Sequence, residues 1–318
     1  MTTAWVVGGS GLLGSALRRA IARRDGWNAI AAAGLPWLAD DAEFEAAVRE
    51  HARRLGAAAD RGGWAVLWAA GRTVPASSED DAHGELERAR LALHAIAEEL
   101  RDVRPGRLFL ASSAGGVYAG SDSPPFTEST EPAPTSPYGR LKLALEVETL
   151  KTAERLDVPA VVGRIANLYG ADQDLAKPQG VISHLGIARF TSRMASLYVP
   201  LDTLRDYLHA DDAADLVLDA LELAAERGGV TTKILASGTP TTISTLLATM
   251  RRVTHARPRA VLGSSPLAAR QALDLRLRSE VWTELDRRPR RGLPEGVAAA
   301  ANGVLRAVQA GELGRVAR

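Results

Sequence analysis

Seven residues into the chain an apolar run breaks on glycine: VVGGSGLLGSAL, Val6 to Leu17, with Gly8, Gly11 and Gly14 spaced by three. No other feature limits the fold as much. A strand that turns into a helix through bare backbone gathers amide N–H groups and the positive end of the helix dipole at one point, which is a seat for a pyrophosphate. In such a turn the first glycine permits the bend, the second lets phosphates reach the backbone, and the third lets the helix pack on the strand. A ligand-free strand-to-helix turn could carry the same triplet, so its surroundings decide.

Those surroundings alternate. Apolar, β-prone runs at Ala4 to Val7, Trp64 to Ala70, Arg107 to Ser113 and Pro159 to Ile165 are separated by helical stripes such as Leu13, Leu17, Ile21 and Leu86, Leu93, Ile96, Leu100. Strands apolar on both faces belong to a parallel sheet covered twice, so the expected fold is α/β, a doubly wound parallel (Rossmann) sheet. At 318 residues the chain also exceeds what one core holds. Residues 1–167, with a segment near 203–225 returning, are expected to form the dinucleotide-binding domain, and 168–202 with 226–318 a smaller substrate lobe. The proline-rich stretch after Ala119 reads as a loop, and a helix from Ser244 to Val253 is expected to start on a serine cap.

Composition excludes several chemistries. There is no cysteine, hence no disulfide, thiolate nucleophile or Cys-ligated metal. A net charge of +1 gives no footprint for nucleic acid or an anionic membrane, and no apolar run is long enough to span one. No basic leader precedes the first apolar run, so a cytoplasmic protein is expected.

The reactive group is expected in SPYGRLKLALE, where Tyr138 and Lys142 stand four apart and so share a helix face. A tyrosine hydroxyl, ordinarily titrating near pH 10, is a poor base; a neighbouring ammonium favours its phenolate and makes it usable for proton exchange with an alcohol. An ordinary amphipathic helix would also show this spacing. At the end of the second strand, where an acid would bind the adenosine ribose of NAD, the chain reads AIAAAGLPW, with Ala33 and Gly34 in place of a carboxylate. No arginine stands there either, so NAD and NADP both remain open. Asp40 and Asp41 can start the next helix, and they also resemble the acidic residue that meets the adenine in short-chain dehydrogenases/reductases.

The GxxGxxG spacing, the serine-ended strand SSAGGVYAG and the following YxxxK helix together resemble the extended short-chain dehydrogenase/reductase superfamily. GRIANLYGADQ resembles its RxxNxYGPxQ segment and LRDYLHADDAADLVLDAL its RDYIHVxDLAxA segment. Nearly the whole chain is thus similar to the NAD-dependent epimerase/dehydratase family acting on nucleotide sugars.

That resemblance implies a cofactor site of Gly8, Gly11, Leu12, Leu13 and Gly14 at the first turn, Asp40, Ala69, Ala70 and Gly71 beside it, and Ser112, Tyr138, Lys142 and Ile165. It implies catalysis by Tyr138 and Lys142, with a hydroxyl that polarises the reacting oxygen. Counting back from Tyr118 reaches Ala114, so Ser113 is expected to supply that hydroxyl, unless it merely finishes the strand. Substrate contacts are implied for Ala114, Tyr138, Asn167, His184 and Arg205. Arg205 can instead be an ion pair with Asp206 or Asp211, while His209 and Asp212 read as structural. Where family dehydratases carry an Asp-Glu pair the chain has Gly115 and Gly116, so dehydration is not expected, and Glu85 and Glu87 stand where the family often has asparagines. The implied reaction is epimerisation of a nucleoside diphosphate sugar at C4 through a 4-keto intermediate, with NADPH-dependent 4-keto reduction as the rival. A catalytically weakened dinucleotide sensor or scaffold is a third reading. The resemblance also implies a homodimer paired through the helices at Leu86 to Leu100 and Leu141 to Leu156.

Overall fold

In the computed structural model the described residues are 1–59, 61–176, 180–263, 272–288 and 290–312. Along the first half run β1 (Thr2–Val7), α1 (Leu12–Arg23), β2 (Trp27–Ala29), α2 (Asp41–Ala58), β3 (Trp64–Trp68), α3 (Glu79–Leu100), β4 (Gly106–Ser113), α4 (Ala114–Val117), α5 (Pro137–Leu156) and β5 (Ala160–Ile165). The second half adds β6 (Asn167–Tyr169), α6 (Val181–Phe190), β7 (Ala195–Leu197), β8 (Leu204–His209), α7 (Ala210–Arg227), β9 (Val230–Leu235), β10 (Pro240–Thr242), α8 (Ile243–Thr254), β11 (Ala260–Leu262) and α9 (Leu293–Gln309).

One sheet has the order β2-β1-β3-β4-β5-β9, every pairing parallel. Alternation divides its side chains between two cores: Trp64, Val66 and Trp68 of β3 pack with α2, α3 and α5, while Ala65 and Leu67 face α1 and α7. Both faces are dry, so the strands show no polar alternation, as a doubly covered parallel sheet requires. The winding direction reverses between β1 and β3. In sheets of this order that is where a ligand crevice lies, at the carboxyl ends of the strands.

The helix starts carry their own signals. Ser78 and Asp81 make a reciprocal capping box at α3, and Ser136 caps α5 ahead of Pro137 in its first turn. The later helix starts one residue before the expected serine: Thr242, not Ser244, caps α8, its side chain accepting the Thr245 N–H.

Two strands pair elsewhere than the pattern of the sequence suggested, while α7, in the segment expected to return, packs on the first sheet. Val230–Leu235, expected in the second lobe, is the edge strand of the six-stranded sheet beside β5, because its Ile234 and Leu235 complete the core under α7. Leu204–His209, expected to return to the first domain, pairs instead with β6 and β10 in a three-stranded sheet. That sheet and α6, α8 and α9 share a second core of Tyr169, Ile182, Leu185, Leu246, Met250 and Val297. Residues 177–179, 264–271, 289 and 313–318 of the expected substrate lobe lie outside the described residues.

Candidate active site

The glycine turn closes the end of β1 against the loop that follows β3. Gly8 has φ +84, and a Cβ there would stand 2.7 Å from the Ala70 backbone; a Cβ on Gly14 would run into the Gly8 carbonyl. Gly11 differs. Its nearest neighbour would be the Gly8 oxygen at 3.4 Å, an ordinary contact, so the protein itself does not demand a bare residue at this helix cap. A cradle open on the side where amides point outward fits a pyrophosphate, with Leu12 and Leu13 starting the helix behind it.

Ser113 ends β4 and caps α4, its Oγ accepting the Gly116 N–H at 3.1 Å. Gly116 is the meeting point of the site. A Cβ there would lie 2.9 Å from Tyr138 Cε1 and 3.3 Å from Ser113 Oγ, so the phenol and the hydroxyl flank one bare residue. The same crowding leaves no room at Gly116 for the acid of a dehydratase. A Cβ on Gly139 would in turn strike the Gly116 carbonyl, so the first turn of α5 is pressed onto α4. One turn along α5, Lys142 Nζ lies 5.6 Å from the Tyr138 ring centre and donates to the Ala111 carbonyl at 3.3 Å. Tyr138 and Lys142 thus share a helix face as their spacing predicts, and Ser113 stands across Gly116 from Tyr138.

Several expected contacts are redirected. Ala114 is fully buried with Val117 in the core beneath α4, so its side chain does not face the crevice. Successive strand residues point to opposite faces, and Ser112, next to Ser113, donates its hydroxyl to Glu146 in the interior. Ile165 is buried in the same core as Ala114. Asp40 starts a helix: its carboxylate accepts the Glu43 N–H at 2.9 Å, capping α2. It remains exposed, so this role leaves its outer face open.

Asn167 and Arg205 sit on the three-stranded sheet. Asn167 pairs with Tyr207 across β6 and β8, and alternation puts Arg205 on the same face as Tyr207. Asn167 donates to the Asp206 carbonyl at 3.0 Å and is otherwise exposed. Arg205 is buried, donates to the Leu204 carbonyl at 2.8 Å and forms no ion pair among the described residues. Burial pulls its guanidinium below the ordinary value. Neither Asp206 nor Asp211 is its partner: Asp206 accepts from Ser237 and Gly238 on the opposite face, and Asp211 meets Arg19. His184 stands half-buried on α6. His209 caps α7 through its Nδ1, and Asp212 pairs with Arg291, both structural roles.

Sequence reasoning missed the support behind the site. Glu146, one turn beyond Lys142, takes a two-point bond from Arg164 of β5, and Arg164 Nη1 donates to the Tyr118 oxygen at 2.7 Å. The signals were a glutamate four residues after a lysine and an arginine inside an apolar strand.

A family model described as the NAD dependent epimerase/dehydratase family matches residues 4–232. The chain belongs to that family. Over 160 residues it is 29% identical to a UDP-glucose 4-epimerase of Rhizobium leguminosarum bv. trifolii, covering 46% of this chain and 49% of the relative. The chain thus spans about half the length of the first curated relatives it matches. Over 102 residues it is 37% identical to a dTDP-6-deoxy-L-talose 4-dehydrogenase (NAD(P)(+)) of Kitasatospora kifunensis, with 31% of each chain covered. A solved structure of MoeE5 in complex with UDP-glucose and NAD superimposes with a TM-score of 0.79 at 22% identity, covering 97% of this chain and 100% of that one. The likeness of fold to that structure therefore extends past the matched segment to the second lobe.

Proposed function

We propose that this member of the family is an NAD(P)-dependent enzyme that acts on a nucleoside diphosphate sugar and epimerises it at C4. The observation that carries the reading is the convergence of Tyr138 and Ser113 on Gly116, with Lys142 one turn behind. Nicotinamide, when bound, supplies the acceptor and donor of the hydride. Tyr138 takes the proton of the sugar hydroxyl and returns it; the Lys142 ammonium stabilises the negative charge that develops on the phenol oxygen. Ser113 donates a hydrogen bond to the reacting oxygen, and the buried Arg205 guanidinium, lacking a carboxylate partner, suits the diphosphate with Asn167 beside it. Such sparse acid–base equipment suits hydride removal and return at one carbon.

NADPH-dependent reduction of a 4-keto sugar is the second reading, and one observation favours it. Arg18 lies along the glycine turn, its Cδ 3.1 Å from where a Cβ on Gly9 would stand, and it makes no ion pair among the described residues. With no acid at the end of β2, a free guanidinium there suits a 2′-phosphate.

Purified protein incubated with UDP-glucose, or with dTDP-4-dehydro-6-deoxyglucose and NADPH, tests both readings. A new epimer with unchanged absorbance at 340 nm is expected for the first, and loss of that absorbance supports the second. No product with either sugar would overturn the enzymatic reading in favour of a binding protein.

A further inference from the structure

From Arg227 to Leu273 the sequence has seven basic residues and no aspartate or glutamate, while the remaining residues carry 32 basic against 38 acidic side chains. The net charge of +1 therefore averages two unlike surfaces. In the fold this acid-free stretch meets another. α6 and β7 hold no acid either, and they adjoin α8 and β11: Arg189 Nη2 donates to the Thr254 carbonyl at 3.2 Å, and the Ala195 N–H donates to the Arg259 carbonyl at 2.8 Å. α9, packed on α6 and α8, has one acid, Glu295, in its first turn. Arg251, Arg252, Arg257 and Arg259 are all exposed at this end of the lobe, and none forms an ion pair among the described residues. Arg251 and Arg252 oppose the dipole of α8 in its last turn, a role that Arg257 and Arg259, beyond the helix, do not share.

Apolar side chains stand among the arginines. β7 and β11 run parallel with Ser196 opposite Val261, and alternation puts Met194 in the row of Ser196 and Arg259 in the row of Val261. Met194 is 60% exposed and Val261 41%, so this sheet face is open to solvent. We propose that this end of the second lobe docks on the surface of an anionic lipid bilayer. The four guanidinium groups meet headgroup phosphates, and Met194 and Val261 enter the boundary between headgroups and acyl chains. A nucleic acid would take the arginines and leave both apolar side chains wet, whereas a bilayer accepts both. The acidic excess on the rest of the chain turns the same end toward a negative surface. The patch shares no residue with the glycine turn or with Ser113, Tyr138 and Lys142, so it stands apart from the catalytic reading.

Sedimentation with vesicles tests the proposal, using phosphatidylcholine alone and phosphatidylcholine mixed with phosphatidylglycerol, and mixed-sequence duplex DNA as a competing polyanion. Binding to the anionic vesicles alone, weakening as salt rises, is expected. The double variant R257Q/R259Q is expected to bind them about 25-fold more weakly, at about fivefold for each arginine near a charged surface, with an unchanged melting curve. M194S keeps every charge and is expected to weaken vesicle binding as well, by less than the double variant, without changing DNA binding. Absence of sedimentation with anionic vesicles, or equal sedimentation with neutral ones, would overturn the proposal. Vesicle binding untouched by R257Q/R259Q would place the contact on another surface. DNA that displaces the vesicles completely, together with an M194S variant that binds them like wild type, would assign the patch to a soluble polyanion instead.

Discussion

Glu146 and Arg164 meet in the core as a two-point ion pair, Nε to Oε1 at 3.1 Å and Nη2 to Oε2 at 2.7 Å. The pair ties α5 to β5 one turn beyond Lys142. Ser112 donates to the same carboxylate from β4, and Tyr118, held by Arg164, donates its own hydroxyl to the Thr127 carbonyl at 2.8 Å. The register of α5 against the end of β4, which brings Tyr138 beside Ser113, is thereby fixed by groups that never reach the crevice. Truncating Glu146 to alanine strands a buried guanidinium and is expected to cost about 3–5 kcal/mol, read from the midpoint of urea unfolding.

Tyr138→Phe removes the hydroxyl proposed to exchange the proton and keeps the ring packed on Gly116. Turnover of a nucleotide sugar is expected to fall by about 10²–10⁴, the usual worth of general acid–base catalysis, with NADH affinity and melting unchanged. Ser113→Ala is expected to lose less, because in the proposed mechanism Ser113 assists the oxygen without carrying its proton. A Tyr138→Phe variant that keeps full activity would remove the phenol from the mechanism.

The three glycines of the first turn separate by cause. Gly8 and Gly14 are required by the protein itself, through a left-handed backbone and a helix pressed on the strand, whereas Gly11 is bare toward the crevice. Gly11→Ala is therefore expected to fold with unchanged stability and to lose dinucleotide affinity by more than about tenfold in fluorescence titration, because the methyl group meets the phosphates. Gly14→Ala is expected to lose both stability and binding.

Much of this was legible in the sequence, and the part that was not has a physical pattern. Strand-to-helix order, the glycine turn and the i,i+4 pairing of Tyr138 with Lys142 are local, and local periodicity encodes them. Long-range outcomes escaped: β9 reads like any short strand until it pairs with β5, and Ala114 and Ser113 differ only in which way the strand end bends. Ser113 gains its place because α4 begins at once, turning Ala114 into the core. Glu146 and Arg164, 18 residues apart in sequence, become partners only when α5 folds back along β5. On the outer side of α3 and α5, expected as a two-fold interface, Arg90 meets Glu148 and Arg155 meets Glu98, charge pairs that the apolar stripes did not announce.

Stability should fall in mild acid. Burial holds the imidazoles of His51 and His209 below their ordinary range, with Arg54 adding to the shift at the first and Arg291 at the second. Because the unfolded chain takes up these protons near pH 6.5 and the folded chain resists them, unfolding gains protons in that window. The stabilisation is full above the unfolded value and is lost as pH falls through the lower folded values. His51→Phe, which keeps a ring against Trp5 at the T-shaped contact, is expected to flatten the decline of the melting temperature between pH 7 and pH 5. An unchanged slope would assign the acid sensitivity elsewhere.

The choice between epimerase and reductase can be read from one side chain. Arg18 turns away from Arg19, whose guanidinium is taken up by Asp172 and Asp211 on the α7 side. Neighbouring positions on a helix differ by 100°, and Arg18 stands beside Gly9. If it binds a 2′-phosphate, NADPH should bind more tightly than NADH, and Arg18→Ala should erase the difference by weakening NADPH alone, by about tenfold for one lost charge-assisted contact. An epimerase that keeps and recycles its coenzyme has no need of the phosphate. Equal affinities in the wild type, unmoved by the substitution, would leave Arg18 a solvated surface residue and strengthen the redox-neutral reading at C4.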